Sequence, residues 1–472
     1  MDRKNLDKKP NIVFILTDDQ GYWAMGCYGN KEIKTPNLDR LANSGVRFEN
    51  FYCTSPVCSP ARASILTGEI PSQHGIHDYL SGGNGGQNQT AIEYLKGHIG
   101  YTDILAQSGY DCALSGKWHL GNGMVPQKGF SFWYAHQKGG GPYYNAPMIR
   151  EGKLVNEEGY ITEVITDEAL KYLENHSDRE KPFYLSVHYT APHSPWVGCH
   201  PDEFVKMYDD CAFNSCPQKS PHPWALLDVL PGYTKPRENL QGYFAAVTAM
   251  DYNVGRILDY LEEKDLLEDT LICFMSDNGF NCGHHGVWGK GNGTFPLNMY
   301  DSSIKVPFIM SHKGHLPENK VCETMLSAYD FMPTLLDYVG LENPGADRLP
   351  GHSFVPNLFG DSGSELPVVV FDEYGPVRMI RSKEYKYIHR YPYGPNELYN
   401  LKTDPDEDTN LFDDEKSKDI VVEMKKMLDQ WFYRYVDPEL DGTKEAVLGG
   451  GQKDLAGLKG KGSFVYSPNC KE

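Results

Sequence analysis

Three short runs hold the residues of this chain best able to do chemistry. In Cys58-Ser59-Pro60-Ala61-Arg62 a thiol is followed four residues on by a guanidinium. If a helix starts here the two share a face, and the unpaired N–H groups and positive dipole end of a helix start favour an anion beside the sulfur. Asp18-Asp19 and Asp277-Asn278 offer only oxygen, the donor set of a hard cation such as Ca²⁺ or Mg²⁺ rather than zinc, which prefers His and Cys. Taken singly, each run has a plainer use as a small buried cysteine, an Asx turn or a helix cap.

What promotes these residues is the elements that must carry them. Residues 11–17, NIVFILT, form a short continuous apolar run ending in the two acids, the pattern of a parallel strand buried on both faces. A second such run, 271–275, ends in Ser276-Asp277-Asn278-Gly279, and in open α/β sheets ligands bind beyond the carboxyl ends of strands. Before that second strand, Val247, Met250, Val254, Ile257 and Leu261 recur at spacings of three and four, an apolar stripe on a long helix. A shorter helix is expected from Thr35 as N-cap, with Pro36 at the first helical position and Gly45 as its stop. Helix and strand alternate, so the fold class is α/β with a doubly wound, mostly parallel sheet flanked by helices.

The catalytic α/β unit is expected over residues 1–365, with 197–239, rich in Pro, Cys and Asp, as an insertion or long loop over the sheet edge. Short strand-like runs at 368–371, 377–380 and 385–388, then a helical 419–435, predict a small α+β domain over 366–440. Residues 441–472, with Gly449-Gly450-Gly451 and Lys459-Gly460-Lys461-Gly462, read as a flexible or wrapping tail.

The run from Cys58 to Gly68, CSPARASILTG, resembles the modification signature of the formylglycine-dependent sulfatases, and Ser115-Gly116-Lys117-Trp118-His119-Leu120-Gly121 resembles their second signature. Asp18-Asp19, Ala191-Pro192-His193, Ser276-Asp277-Asn278-Gly279, Gly283-His284-His285-Gly286, Lys290 and Glu397-Leu398-Tyr399-Asn400-Leu401 follow as landmarks in the family's order. The resemblance implies an alkaline-phosphatase-like fold and hydrolysis of a sulfate ester, most simply on a sugar or glycan fragment. It implies that Cys58 is oxidised to formylglycine by a maturation enzyme, and that the aldehyde hydrates to a diol whose metal-held hydroxyl attacks sulfur. It points to Ca²⁺, held by Asp18, Asp19, Asp277, Asn278 and the oxidised Cys58. Arg62 would then hold the diol, and His119 would take the proton whose loss expels sulfate. Lys117 and Lys290 would contact the sulfate oxygens, and His193, aided by Lys290, would protonate the leaving oxygen. Candidates for substrate contact are His284, His285 and Asn292, with Trp288, Thr294 and the segment Gly139-Gly140-Gly141-Pro142-Tyr143-Tyr144 nearby.

Composition bounds the alternatives. Of 472 residues, 40% are hydrophobic and 23% charged, so the chain should fold, and the net charge of −19 argues against nucleic-acid or anionic-membrane binding. Any positive charge for an anionic substrate must therefore be local. No stretch approaches a membrane span and the N-terminus shows no signal core, so a cytoplasmic protein is the expectation. The 11 cysteines are odd in number and scattered, which does not suit a disulfide framework; Cys199, Cys211 and Cys216 leave a zinc site as a lesser reading. Two rivals to the sulfatase reading remain: a formylglycine-dependent phosphonate or phosphate monoester hydrolase, and a sulfoglycan-binding protein in which Cys58 stays a thiol.

Overall fold

The computed structural model describes residues 8–86, 90–176, 181–228, 231–361, 366–372, 376–444 and 451–457. Ten strands form one mixed sheet in the order Lys320–Cys322, Val46–Phe48, Phe308–Ser311, Thr270–Ser276, Asn11–Thr17, Phe183–His188, Asp111–Lys117, Phe132–His136, Ala146–Arg150, Lys153–Glu157. The five from 270–276 to 132–136 run parallel, and antiparallel pairs occur toward both edges. The apolar run at 11–17 sits centrally, and alternate side chains explain why it is apolar throughout. Ile12, Phe14 and Leu16 enter one hydrophobic cluster, whereas Val13 and Ile15 enter another on the opposite face.

Each face is covered by helices. Pro236–Glu263 packs on the second face, with Val247, Met250, Val254, Ile257 and Leu261 all fully buried as their spacing predicts. This helix begins at Pro236, inside the 197–239 stretch read as loop. Among the described residues, the rest of that stretch holds one short α-helix, Asp202–Lys206, and buries Phe204, Tyr208, Phe213 and Cys216 beside the long helix's Phe244. Helices Cys58–Thr67 and Phe331–Tyr338 cover the other face, where Phe331 stacks on Phe14 at 4.8 Å.

The helix expected after Thr35 forms as Pro36–Asn43, but its cap is not the one the sequence suggests. Thr35 makes no side-chain cap; its hydroxyl accepts the Gly26 N–H. The helix start is capped instead by Asp251 of the long helix, whose carboxylate accepts from the N–H groups of Asn37 (3.2 Å) and Leu38 (2.7 Å).

Strands Val368–Asp372, Val377–Arg381, Tyr385–Arg390 and Glu397–Asn400 form an antiparallel meander. Helix Lys418–Tyr435 covers one of its faces through Met424, Leu428 and Phe432. The other face is not solvated: Val370, Met379 and Ile388 join the cluster beneath the main sheet. A buried charge group, Lys386 and Arg381 with Asp301 and Glu407, ties this meander to the loop that follows Lys290. In the final stretch, Gln452 is fully buried against Leu80, while residues 445–450 and 458–472 lie outside the described residues. No described helix is long and apolar enough to cross a membrane.

Candidate active site

Sheet register decides the site. The central strand 11–17 and its neighbour 270–276 are parallel and pair Thr17 with Ser276. Both acidic runs therefore leave the sheet side by side at the carboxyl edge. Ligand oxygens of Asp18, Asp19 and Asp277 lie within 4.8 Å of one another, all buried. Like charges so close need opposite charge nearby, and each carboxylate has its own cation. Lys117, at the end of its strand, pairs with Asp18; Arg62 Nε donates to Asp277 at 2.8 Å; Lys290 Nζ lies 2.5 Å from Asp19. These are the locally concentrated cations that a chain of net charge −19 requires for an anionic ligand.

Cys58 is the first residue of helix Cys58–Thr67, every residue of which is buried. Pro60 costs nothing there, because first-turn N–H groups have no intrahelical partner. Lys290 Nζ reaches the Cys58 sulfur at 3.3 Å. Asn278 donates to Asp19 at 2.8 Å, while Asp19 and Asn278 both donate backbone N–H groups to Asp277. His193 Nε2 stands 3.6 Å from Asp19, with its Nδ1 held by the Ser194 carbonyl. His119 Nε2 bonds the Leu80 carbonyl at 3.2 Å. Asp19 (φ 63°) and His119 (φ 55°) both occupy the left-handed region, strain that side-chain-bearing residues tolerate where the surroundings over-determine them. Gly116 is required by contact: a Cβ there would fall 2.0 Å from the His188 carbonyl oxygen on the adjacent strand.

Burial and the cation ring set the ionisation. Burial works to raise the Asp18 carboxyl, but Lys117, His193, Arg62 and Lys290 outweigh it and hold it far below the usual carboxylate range. Asp277 is pushed up to about 6 by burial and by Asp18, against the pull of Arg62, Lys117 and Lys290. Burial also raises the Cys58 thiol despite Lys117 and Lys290, and lowers His119, which Lys117 pushes the same way.

Above these groups opens a cavity of about 600 Å³, lined by Cys58, His119, Gly139, Gly140, His193, Lys290 and Asn292 among the residues expected from the sequence. Its remaining lining is Tyr79, Leu80, Ser81, Asn84 and Lys138, which sequence reasoning missed. Asn84 had a signal: it is flanked by Gly82-Gly83 and Gly85-Gly86, and glycines cluster where backbone approaches closely. His284 and His285 lie outside this lining. His284 is held at both ring nitrogens, by the Cys282 N–H and the Ser215 carbonyl, and packs on Trp23. His285 stacks on Tyr300 at 3.9 Å. Trp288 and Thr294 are buried structural neighbours, and Tyr143 donates to the His193 carbonyl. Among the described residues, the three aspartates are the one group of three or more His, Cys, Asp or Glu side chains whose ligand atoms lie within 4.8 Å of one another, and Cys199, Cys211 and Cys216 are not drawn together in such a group. None of the ten described cysteines is in a disulfide.

Residues 10–341 match the sulfatase family, and residues 283–433 match the C-terminal region of N-sulphoglucosamine sulphohydrolase. The chain belongs to the sulfatase family. This sulfatase is 30% identical to an N-acetylglucosamine-6-O-sulfatase of Bacteroides thetaiotaomicron, over 96% of its own length and 91% of the relative's. It is 29% identical to a choline-sulfatase of Rhizobium meliloti, over 85% and 82%. A solved structure in complex with its substrate, D-glucosamine-2-N,6-O-disulfate, matches it with a TM-score of 0.78 at 27% identity, over 92% of this chain and 99% of that one. The sulfatase is thus a sulfuric ester hydrolase of the alkaline-phosphatase-like superfamily, with a mixed, mostly parallel sheet between helices.

Proposed function

We propose that this sulfatase removes sulfate from a sulfated sugar or glycan fragment, through formylglycine made from Cys58 and a divalent cation at Asp18, Asp19, Asp277 and Asn278. The observation that carries the reading is Cys58 at a buried helix start, 3.3 Å from Lys290 and beside three clustered carboxylates. Two features support the cation: Asp18 Oδ1 and Asn278 Oδ1 are buried without a hydrogen-bond partner, a costly state for acceptors unless an ion takes them. The all-oxygen donor set suits Ca²⁺, with Mg²⁺ second. The raised Cys58 thiol supports a precursor role, since a thiol that resists ionisation is a poor nucleophile.

Bound together, the cation and the oxidised residue supply an activated oxygen nucleophile next to a Lewis acid. The chain's own residues do the rest. Lys117, paired with Asp18, and Lys290, paired with Asp19, hold the sulfate oxygens and stabilise charge as it builds. Arg62 keeps one buried guanidinium nitrogen, Nη2, without a partner while its Nε holds Asp277, so it can anchor the oxidised side chain at position 58 and brace a metal ligand at once. His119, kept neutral by burial, has Nε2 on Leu80 and an unpartnered Nδ1 to accept a proton. His193, at the cavity mouth with Nδ1 anchored, presents Nε2 to the leaving oxygen.

For the substrate, the specificities of the relatives make 6-O-sulfated glucosamine-type sugars the first to try. Turnover of a sulfated monosaccharide panel, with the sulfate and phosphate esters of one alcohol compared, tests the reading. Release of sulfate from a sugar supports it; preference for the phosphate ester overturns it in favour of a phosphoryl hydrolase. Mass spectrometry of the peptide across 52–69 from the native host tests the modification. An unmodified Cys58 in active enzyme rules the scheme out.

A further inference from the structure

The stretch 451–454 reaches back, from far along the chain, to the loop that carries Tyr79, Leu80 and Ser81 of the cavity lining. Gln452 lies parallel to Leu80: its N–H donates to the Tyr79 carbonyl at 2.8 Å and its carbonyl accepts from Ser81 at 2.9 Å. Its side chain, fully buried, accepts the His77 N–H at 2.8 Å and donates to the Gly75 carbonyl at 2.9 Å. The close approach needs Gly451, which sits at φ +80° where a Cβ would fall 2.6 Å from the Tyr79 ring. Four hydrogen bonds from one residue thus hold the loop 75–81 along both edges.

That loop matters because of what Leu80 does. Its carbonyl takes the His119 Nε2 proton at 3.2 Å, and its N–H donates at 3.1 Å to the hydroxyl of Ser59, next to Cys58. Leu80 therefore touches two groups of the cleft at once, and its own position depends on Gln452. We propose that Gln452 is a positioning residue: by holding loop 75–81 it sets the Leu80 carbonyl that orients His119 and leaves Nδ1 as the nitrogen carrying a lone pair. The inference rests on the assignment of His119 as proton acceptor. A misplacement of about 1 Å costs on the order of a hundredfold in rate, so a held loop is worth more to turnover than to affinity.

The test uses the full chain and four variants, Gln452→Ala, Gln452→Glu, Gly451→Ala and, as a control, Lys453→Ala at the exposed neighbouring position. Hydrogen exchange should quicken by about tenfold or more at the His77 amide in Gln452→Ala, which loses the side-chain acceptor of that N–H, while the Ser81 amide keeps its backbone acceptor. On a sulfate ester turned over by the wild type, kcat should fall roughly ten- to a hundredfold with KM within about threefold. Gln452→Glu keeps the acceptor for His77 but loses the donor to Gly75, so it should recover part of kcat. Lys453→Ala should match the wild type. If Gln452→Ala does not fold, Gly451→Ala displaces the same pairing and should show the same loss of kcat. Faster exchange with full kcat, unchanged exchange, or a rise in KM with kcat kept would each overturn the inference. Failure of the wild type on every sulfate ester would instead sink the reading of the site, and the exchange data would still judge the coupling of Gln452 to the loop.

Discussion

Every carboxylate at the centre of this site is matched by a cation from a different segment, so changing one residue disturbs a balanced group. Asp277→Asn keeps the shape but removes the charge facing Arg62 and one charged ligand of the proposed cation. Calorimetric titration with Ca²⁺ should show affinity falling by at least about tenfold, because divalent sites are tuned by ligand charge count. Affinity equal to the wild type would place the ion elsewhere. Cys58→Ala should abolish turnover while costing only about 1 kcal/mol of stability, since it trims one buried atom at a helix start. A loss of several kcal/mol in urea unfolding would mark Cys58 as structural. The residue types at 18, 19, 58, 62, 277 and 278 were readable without a structure, because donor chemistry belongs to the side chain. His284 and His285 show the limit of such reading: their types suit substrate contact, but the Cys282 N–H and Ser215 carbonyl hold one, and Tyr300 covers the other.

Elements whose pattern is local were legible, strand 11–17 to the residue and the long helix along its stripe from Val247 to Leu261, although that helix begins earlier, at Pro236, inside the stretch read as loop. What attaches them to each other was not. Helix Pro36–Asn43 draws its cap from Asp251, a residue far along the chain, and Thr35 serves Gly26 instead. Asp251→Ala should therefore cost about 1–2 kcal/mol in urea unfolding, whereas Thr35→Ala should act through Gly26 and Asp39 and cost less. A larger loss at Thr35 would restore it as the cap. The charge group of the meander is a second such attachment. Lys386 is fully buried between Asp301 and Glu407, and donates to the Met299 carbonyl. Lys386→Met leaves two buried carboxyls with Arg381 alone, and should destabilise by roughly 3–5 kcal/mol. The double change Lys386→Met/Glu407→Gln should recover part of that; a double variant no more stable than Lys386→Met alone would show that charge balance is not what Lys386 supplies.

At the scale of the whole molecule, buried histidines make the fold sensitive to acid. Away from the site, His200 is held at about 3, and His284 and His312 at about 4, by burial. Free histidine titrates near 6.5. The folded values are depressed, so these groups contribute stability that is present above about pH 6.5 and lost as pH falls toward their folded values. Asp251 and Asp330, pushed up to about 7 by burial, act the other way and favour the fold as pH drops from 7 toward 4. The signs separate in one variant: His312, bonded to the Tyr338 hydroxyl and the Glu268 carbonyl, can be replaced by Gln. His312→Gln should show a shallower fall of melting temperature between pH 6.5 and 4 than the wild type, and an unchanged slope would exclude His312 as a source of acid sensitivity.

By itself, then, the sequence determined the elements, the family resemblance and the chemical types at the site, because periodicity, turn residues and donor atoms are properties of short runs. Only the tertiary structure decided which residues meet. The pairing of Thr17 with Ser276 places two acidic strand ends together, and the return of Gln452 to Leu80 pairs a distant stretch with a residue that lines the cavity. Both are long-range registers set by how whole faces pack, and no window of neighbouring residues contains them.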